Sequence, residues 1–316
     1  MGAEMIHSPL VPWIAFNAVV LIALAVDLGL FSTSKKLSVK EAAIRSAVWV
    51  ALALLFALGI FYFQGHLAGV EFITGYLVEY SLSVDNIFVM VLIFSYFNIK
   101  EEYQHRVLFW GILGALVMRG LMIAAGAALF NRFAWVTYVF GIFLVITGIR
   151  MGMGGDKHVD PGANPVLRLV RRLIPVYNEY KGEHFFVQVS DEKGGAKRRM
   201  ATPLFVVLVL IETMDLVFAV DSIPAVFAVT RVPFLVYTSN VAAILGLRSL
   251  YFLLSGVVGK LRYLTIGLAF ILVFVGLKML TAAWYEVPTV ASLGVIVVIL
   301  GTAAAASIYV DRRQSV

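Results

Sequence analysis

The chain has 316 residues, 61% of them hydrophobic and 14% charged, with a mean hydropathy of +0.93. A soluble domain does not carry so much apolar surface, so composition points to a polytopic membrane protein. The lack of cysteine excludes disulfides and thiolate metal sites, and the net charge of +6 does not indicate nucleic acid, because the basic residues fall between apolar runs, where orientation in a bilayer requires them.

Nine apolar runs near the length of a bilayer are predicted to span it, at roughly 11–31, 46–64, 71–97, 107–130, 134–151, 202–229, 234–256, 263–284 and 288–310. Pro12, Pro203, Pro233 and Pro288 lie at or just before the starts of four of them. The first run reads as a span rather than a signal peptide, since Lys35 and Lys36 follow it and no basic segment precedes it. It contains Asn17 and, near its end, Asp27, which reads as an interfacial carboxylate; His7 and His66 lie near span ends and read as solvated.

Twenty lysines and arginines fall in alternate connections and tail, half of them between residues 150 and 199, whereas the opposite side carries only Arg132 and Arg231. The positive-inside rule then places the N-terminus outside and the C-terminus in the cytoplasm. Within the long basic connection, residues 164–176 put Val166, Leu169, Val170 and Leu173 on one helical face and Arg168, Arg171 and Arg172 on the other, the pattern of a helix lying on anionic lipid. His184 to Val189, followed by Asp191-Glu192-Lys193-Gly194-Gly195, predicts a short hairpin. No phosphate-binding GxxxxGK[ST] loop and no catalytic constellation occurs, so the chain is read as neither ATP-driven nor an enzyme, with no resident cofactor.

The third and sixth runs break the apolar pattern with acids. VEYSLSVDNIF (78–88) carries Glu79, Asp85 and Asn86; IETMDLVFAVDSIPA (211–225) carries Glu212, Asp215, Asp221 and Ser222. A carboxylate at membrane depth costs about 2.5–3.5 kcal/mol on insertion scales, so five in two related segments point to use, the alternative being local pairing with arginine for packing. Asp85 aligns with Asp221, Arg119 with Arg248 and Gly148 with Gly276, at offsets of 136, 129 and 128 residues. Three spans per copy is an odd number, which predicts two inverted three-helix repeats, as in secondary transporters with a midplane site. The expected organisation is 1–69, two helices; 70–151, first repeat; 152–200, basic loop; 201–284, second repeat; 285–316, last helix and tail.

On regular helices these acids could not converge: Glu79 and Asp85 are about 120° apart, and Glu212 and Asp221 face opposite ways. Together with Pro224 this predicts unwinding in spans three and six, the alternative being an ordinary proline kink. Asp85 and Asp221 are the expected central ligands, in a set of hard oxygens that suits Mg²⁺, Ca²⁺ or Mn²⁺. Met90 and Met214 read as packing. Arg119 and Arg248 read either as partners of the acids or as structural counter-ions.

EYSLSVDNIFV, GILGALVMRG, ATPLFVVLVLIETMDLVFAVDSIPAVFAVT and YTSNVAAILGLRSLYFLL resemble the TerC family of integral membrane proteins, nearest its Alx-like branch, over about residues 70–284. The resemblance implies an inverted-repeat exporter in the bacterial inner membrane, of a family named for tellurium resistance. It implies Mn²⁺ as transported substrate and Glu79, Asp85, Asn86, Glu212, Asp215, Asp221 and Ser222 as the acidic motif positions. The expected partners are that cation, protons for exchange, and lipid; the sequence leaves monomer and homo-oligomer open. The competing class is a membrane scaffold in metal or oxyanion stress without ion transport of its own.

Overall fold

The computed structural model describes residues 10–31, 38–133, 135–153, 168, 172, 174–177, 179–189, 198–255, 262–285 and 287–314. The described chain is an all-α membrane protein: α1 (Leu10–Phe31), α2 (Val39–Gln64), α3 (His66–Tyr96), α4 (Glu101–Arg132), α5 (Val136–Gly152), the strands β1 (Phe186–Val189) and β2 (Arg198–Ala201), then α6 (Pro203–Phe227), α7 (Pro233–Leu245), α8 (Leu247–Leu254), α9 (Arg262–Thr281) and α10 (Thr289–Gln314). Five described stretches are long and apolar enough to cross a bilayer unaided, namely Val39–Gln64, His66–Tyr96, Glu101–Phe130, Pro203–Phe227 and Thr289–Ser307, and four shorter apolar helices accompany them. α1 belongs to a separate unit, residues 1–37, in which Asn17 donates to the Trp13 carbonyl at 2.9 Å and so satisfies its amide within its own helix. The side chain of Asp27, His7, and most of the predicted interfacial helix lie outside the described residues.

Helix boundaries follow local chemistry. Ser38 and Glu41 form a reciprocal capping box on α2, and Pro203 and Pro233 open α6 and α7, where a missing N–H costs nothing. The predicted seventh span is two helices, broken at Gly246, a residue of poor helix propensity that packs against Trp49 and Tyr80.

The expected unwinding of spans three and six is not present. α3 runs unbroken through Asp85 and Asn86, and α6 runs through Asp221 and Pro224. The Asn86 amide turns to Asp215 on α6 instead of competing for its own backbone, and Ser81 and Ser83 bond the carbonyls of Leu77 and Glu79 four residues back at 2.6 and 2.9 Å, within the helix. Pro224 lies in the last turn of α6, where few residues remain to be displaced.

The first helices pack across onto the later ones: α3 on α7, α4 on α6, and α5 on α9, the most extensive contact in the fold. α5 and α9 meet backbone to backbone. A Cβ on Gly148 would lie 2.7 Å from the Ala269 carbonyl oxygen and 2.9 Å from Val273 N; one on Gly276 would lie 2.7 Å from the Gly141 oxygen and 2.9 Å from Val145 N. The order of these contacts makes the two helices antiparallel, and small residues at the crossing let them approach, the usual device where lipid tails offer no hydrophobic drive.

The predicted hairpin forms: β1 and β2 pair antiparallel with Phe186 opposite Ala201. The segment before it is tied to the α3–α4 turn, where the Tyr180 hydroxyl, its pKa raised by burial, donates to the Phe97 carbonyl at 2.6 Å and Arg106 lies 3.6 Å from Glu183.

Candidate functional site

Among the described residues the helical unit holds three apolar clusters, and two of them divide α6 and α4 between them. Along α6 the buried members of one end at Ile211 and those of the other begin at Ala219; along α4 they include Leu108 and Ile123. Asp215 and Arg119 fall between, so the polar residues form a layer within the apolar body. Asp215 lies about 18 Å along a helix of about 37 Å, at its middle.

Arg119 is the hub of that layer and only 1% exposed. Its Nε and Nη2 donate to the two oxygens of Asp215 at 3.2 and 2.8 Å, a forked arrangement; its Nη1 donates to Glu79 Oε1 and, at 2.8 Å, to Asn240 Oδ1. Asn240 returns a bond from Nδ2 to the second Glu79 oxygen at 2.9 Å, and Asn86 Nδ2 lies 3.4 Å from Asp215 Oδ1. One guanidinium thus joins α3, α4, α6 and α7. Charged groups at this depth are tolerated when paired and fully hydrogen-bonded.

Beside the hub lies a cavity of about 20 Å³, lined by Glu79 and Asn86 from α3 and Asp221 and Ser222 from α6, with Leu82, Met151, Phe218 and Leu272. The volume exceeds the roughly 10–15 Å³ that one water-sized occupant needs. Asn86 Oδ1 and Ser222 Oγ are buried and without a hydrogen-bond partner among the described residues. Both atoms are acceptors on residues 3% and 2% exposed. An uncompensated buried acceptor costs about 1–3 kcal/mol, so a cation or water there has two ready oxygens.

The expected site residues therefore divide. Glu79, Asn86, Asp221 and Ser222 share the cavity wall, while Asp215 is turned to Arg119. Glu212 points elsewhere, as its nine-residue separation from Asp221 demands. Its carboxylate fills the notch left by Gly114 on α4, and its Oε2 lacks a partner among the described residues. Asp85 sits on α3, but its side chain lies outside the described set. Among the described residues no three acidic or histidine groups gather as a finished metal cage. Arg248, read from the sequence as either a partner of the acids or a structural counter-ion, stands 3.3 Å from His105 Nδ1, whose ring packs at a tilt against Phe252. Met90 is buried in an apolar cluster and Met214 packs on it. Two residues of the layer were not read as site residues from the sequence. Asn240 was visible as a lone amide in an apolar run. Met151 gave no signal, because methionine in a membrane helix reads as filler.

A family model described as "Integral membrane protein TerC family" matches residues 64–315. The chain is 50% identical over 302 residues to an "Uncharacterized membrane protein STKORF319" of Myxococcus xanthus, covering 95% of this chain and 93% of that one. It is 44% identical over 320 residues to a "Putative membrane-bound redox modulator Alx" of Photorhabdus laumondii, covering 98% of each, and 44% identical over 305 residues to the protein of that name in Escherichia coli K12, covering 93% of each. No solved structure matches.

Proposed function

We propose, on the premise that the chain belongs to the TerC family of integral membrane proteins, that it exports a divalent cation, Mn²⁺ in the first instance, in exchange for protons. The observation that carries this is the cavity between α3 and α6, where Glu79 and Asp221 supply charge and two buried acceptors stand without partners. The cation enters with Asp221, Asn86 and Ser222 as oxygen ligands and draws Glu79 from Arg119. Arg119 stays anchored on Asp215 by its fork. Of Asp215 and Glu79, only Glu79 faces both the cavity and the guanidinium. Paired with Arg119 and Asn240 it is the carboxylate, so it is assigned the proton that it takes up when the cation is released and gives up on returning to Arg119, before the next cation loads. Export of a dication against an inside-negative potential costs roughly 4.6 kcal/mol per 100 mV, which inward proton flow can supply.

A second reading comes from the relatives' printed description as redox modulators. The chain has no thiol, so a redox role would be indirect, through cell metal content or through a bound partner. Inside-out vesicles separate the readings. With an acidic interior, wild type is expected to accumulate Mn²⁺ and a protonophore to stop it. Asp221→Asn, which keeps shape and loses charge, should lower uptake by about tenfold, the low end for a metal site's supporting groups. Uptake by Asp221→Asn equal to wild type would remove this site, and uptake indifferent to the gradient would remove the exchange. A correctly inserted variant with normal cell Mn but lowered stress tolerance would favour the scaffold.

A further inference from the structure

We infer that Met151 sets the ion preference of this cavity, favouring softer divalent ions over Mg²⁺ and Ca²⁺; the inference rests on reading the cavity as the cation site. Met151 is the one sulfur-bearing residue among those lining it, and every other polar lining group offers oxygen or nitrogen. Asn86 and Ser222 each contribute a buried oxygen without a hydrogen-bond partner among the described residues. Oxygen donors alone suit the hard ions, Mg²⁺ and Ca²⁺, at least as well as Mn²⁺. A thioether adds little to a hard ion and progressively more along Mn²⁺, Fe²⁺ and Cd²⁺, so one sulfur in an oxygen site discriminates without raising affinity for everything.

The molecule supplies its own control. Met279 holds the matched place in the second half, in VFVGLKM against VITGIRM, and α9 presses it into the apolar core, 4% exposed. Both methionines pack on the same apolar cluster, but only Met151 also lines the polar cavity. Its position at the end of α5 is fixed by the Gly148 crossing three residues earlier, which holds that turn against α9.

The test uses the full chain in lipid nanodiscs, titrated separately with Cd²⁺, Mn²⁺, Mg²⁺ and Ca²⁺ by calorimetry. Met151→Leu conserves volume and is expected to fold. It should weaken Cd²⁺ by about tenfold and Mn²⁺ by less, and leave Mg²⁺ and Ca²⁺ unchanged, within the range that retuning a metal site gives. Met151→Gln places an amide oxygen on a chain of similar length and should shift preference toward Ca²⁺. Met279→Leu should change none of the four. Equal losses for all four ions in Met151→Leu, or no loss for any, would assign Met151 to packing and overturn the inference while leaving the oxygen site intact. Wild type that binds none of the ions, or Asp221→Asn that binds them as wild type does, would overturn the cation site and this inference with it.

Discussion

Arg119→Leu is expected to leave little folded protein in detergent. The guanidinium is 1% exposed, and the carboxylates it holds, Glu79 and Asp215, are 0% and 5% exposed. Removing it strands both acids and the Asn240 carbonyl among apolar helices. Breaking a buried ion pair from one side costs about 3–5 kcal/mol, and this hub has two such partners. Against a total stability of roughly 5–15 kcal/mol, that is enough to empty the native state of a protein at the lower end. Arg119→Lys should recover only part, because an ammonium cannot fork across Asp215 and also reach Glu79 and Asn240. The decisive comparison is Arg119→Leu with Glu79→Gln and Asp215→Asn together. If the loss comes from stranded charge, the triple variant should unfold at a higher temperature than the single one, though it transports nothing. A single variant as thermostable as wild type would show that the hub is not the anchor of this layer.

The second large effect is steric. Gly148→Ala and Gly276→Ala each place a Cβ less than 3 Å from backbone atoms of the opposing helix, and backbone cannot rotate aside as a side chain can. Both should lower stability by about 2 kcal/mol, within the range for overpacked interiors. Since one separation of α5 from α9 relieves both clashes, the double variant should lose less than the two losses added. Gly294→Ala and Gly301→Ala on α10 are the contrast: a Cβ there meets nothing within 4 Å, and alanine is the better helix former by about 1 kcal/mol. Thermal unfolding of the purified variants reads all five. Alanine accepted at the crossing as readily as on α10 would mean that the helices do not bear on each other there.

The apolar runs were legible because a membrane span is a composition written over twenty residues, and the five helices long enough to cross overlap predicted stretches, though Val39–Gln64, His66–Tyr96 and Glu101–Phe130 begin before theirs. The acidic layer was legible because a carboxylate in such a run is costly enough to stand out. The continuity of α3 and α6 was not. Five acids on regular helices seemed to require broken backbone to converge, whereas the fold does not make them converge: it gives Asp215 to Arg119, turns Glu212 into the Gly114 notch and leaves Glu79 and Asp221 at the cavity. Arg248 left two readings open in the sequence: its match with Arg119 indicates an equivalent place on a helix, not an equivalent neighbour, and it stands beside His105 while Arg119 bonds Asn240. Asn240 could have been found by asking what completes the hydrogen bonds of a buried arginine, whose five donors demand more oxygen than two carboxylates conveniently offer.

The crossing of α5 and α9 has one more consequence. Gly148 meets Val273 as Gly276 meets Val145, each contact repeated with the partners exchanged. That reciprocity is the signature of an isologous surface, the kind by which two identical subunits pair about a two-fold axis. A helix bundle bearing such a patch carries, in one copy, all it needs to recognise a second copy lying the other way up. Because α5 and α9 belong to one chain, they meet at an effective concentration that two separate copies would lack.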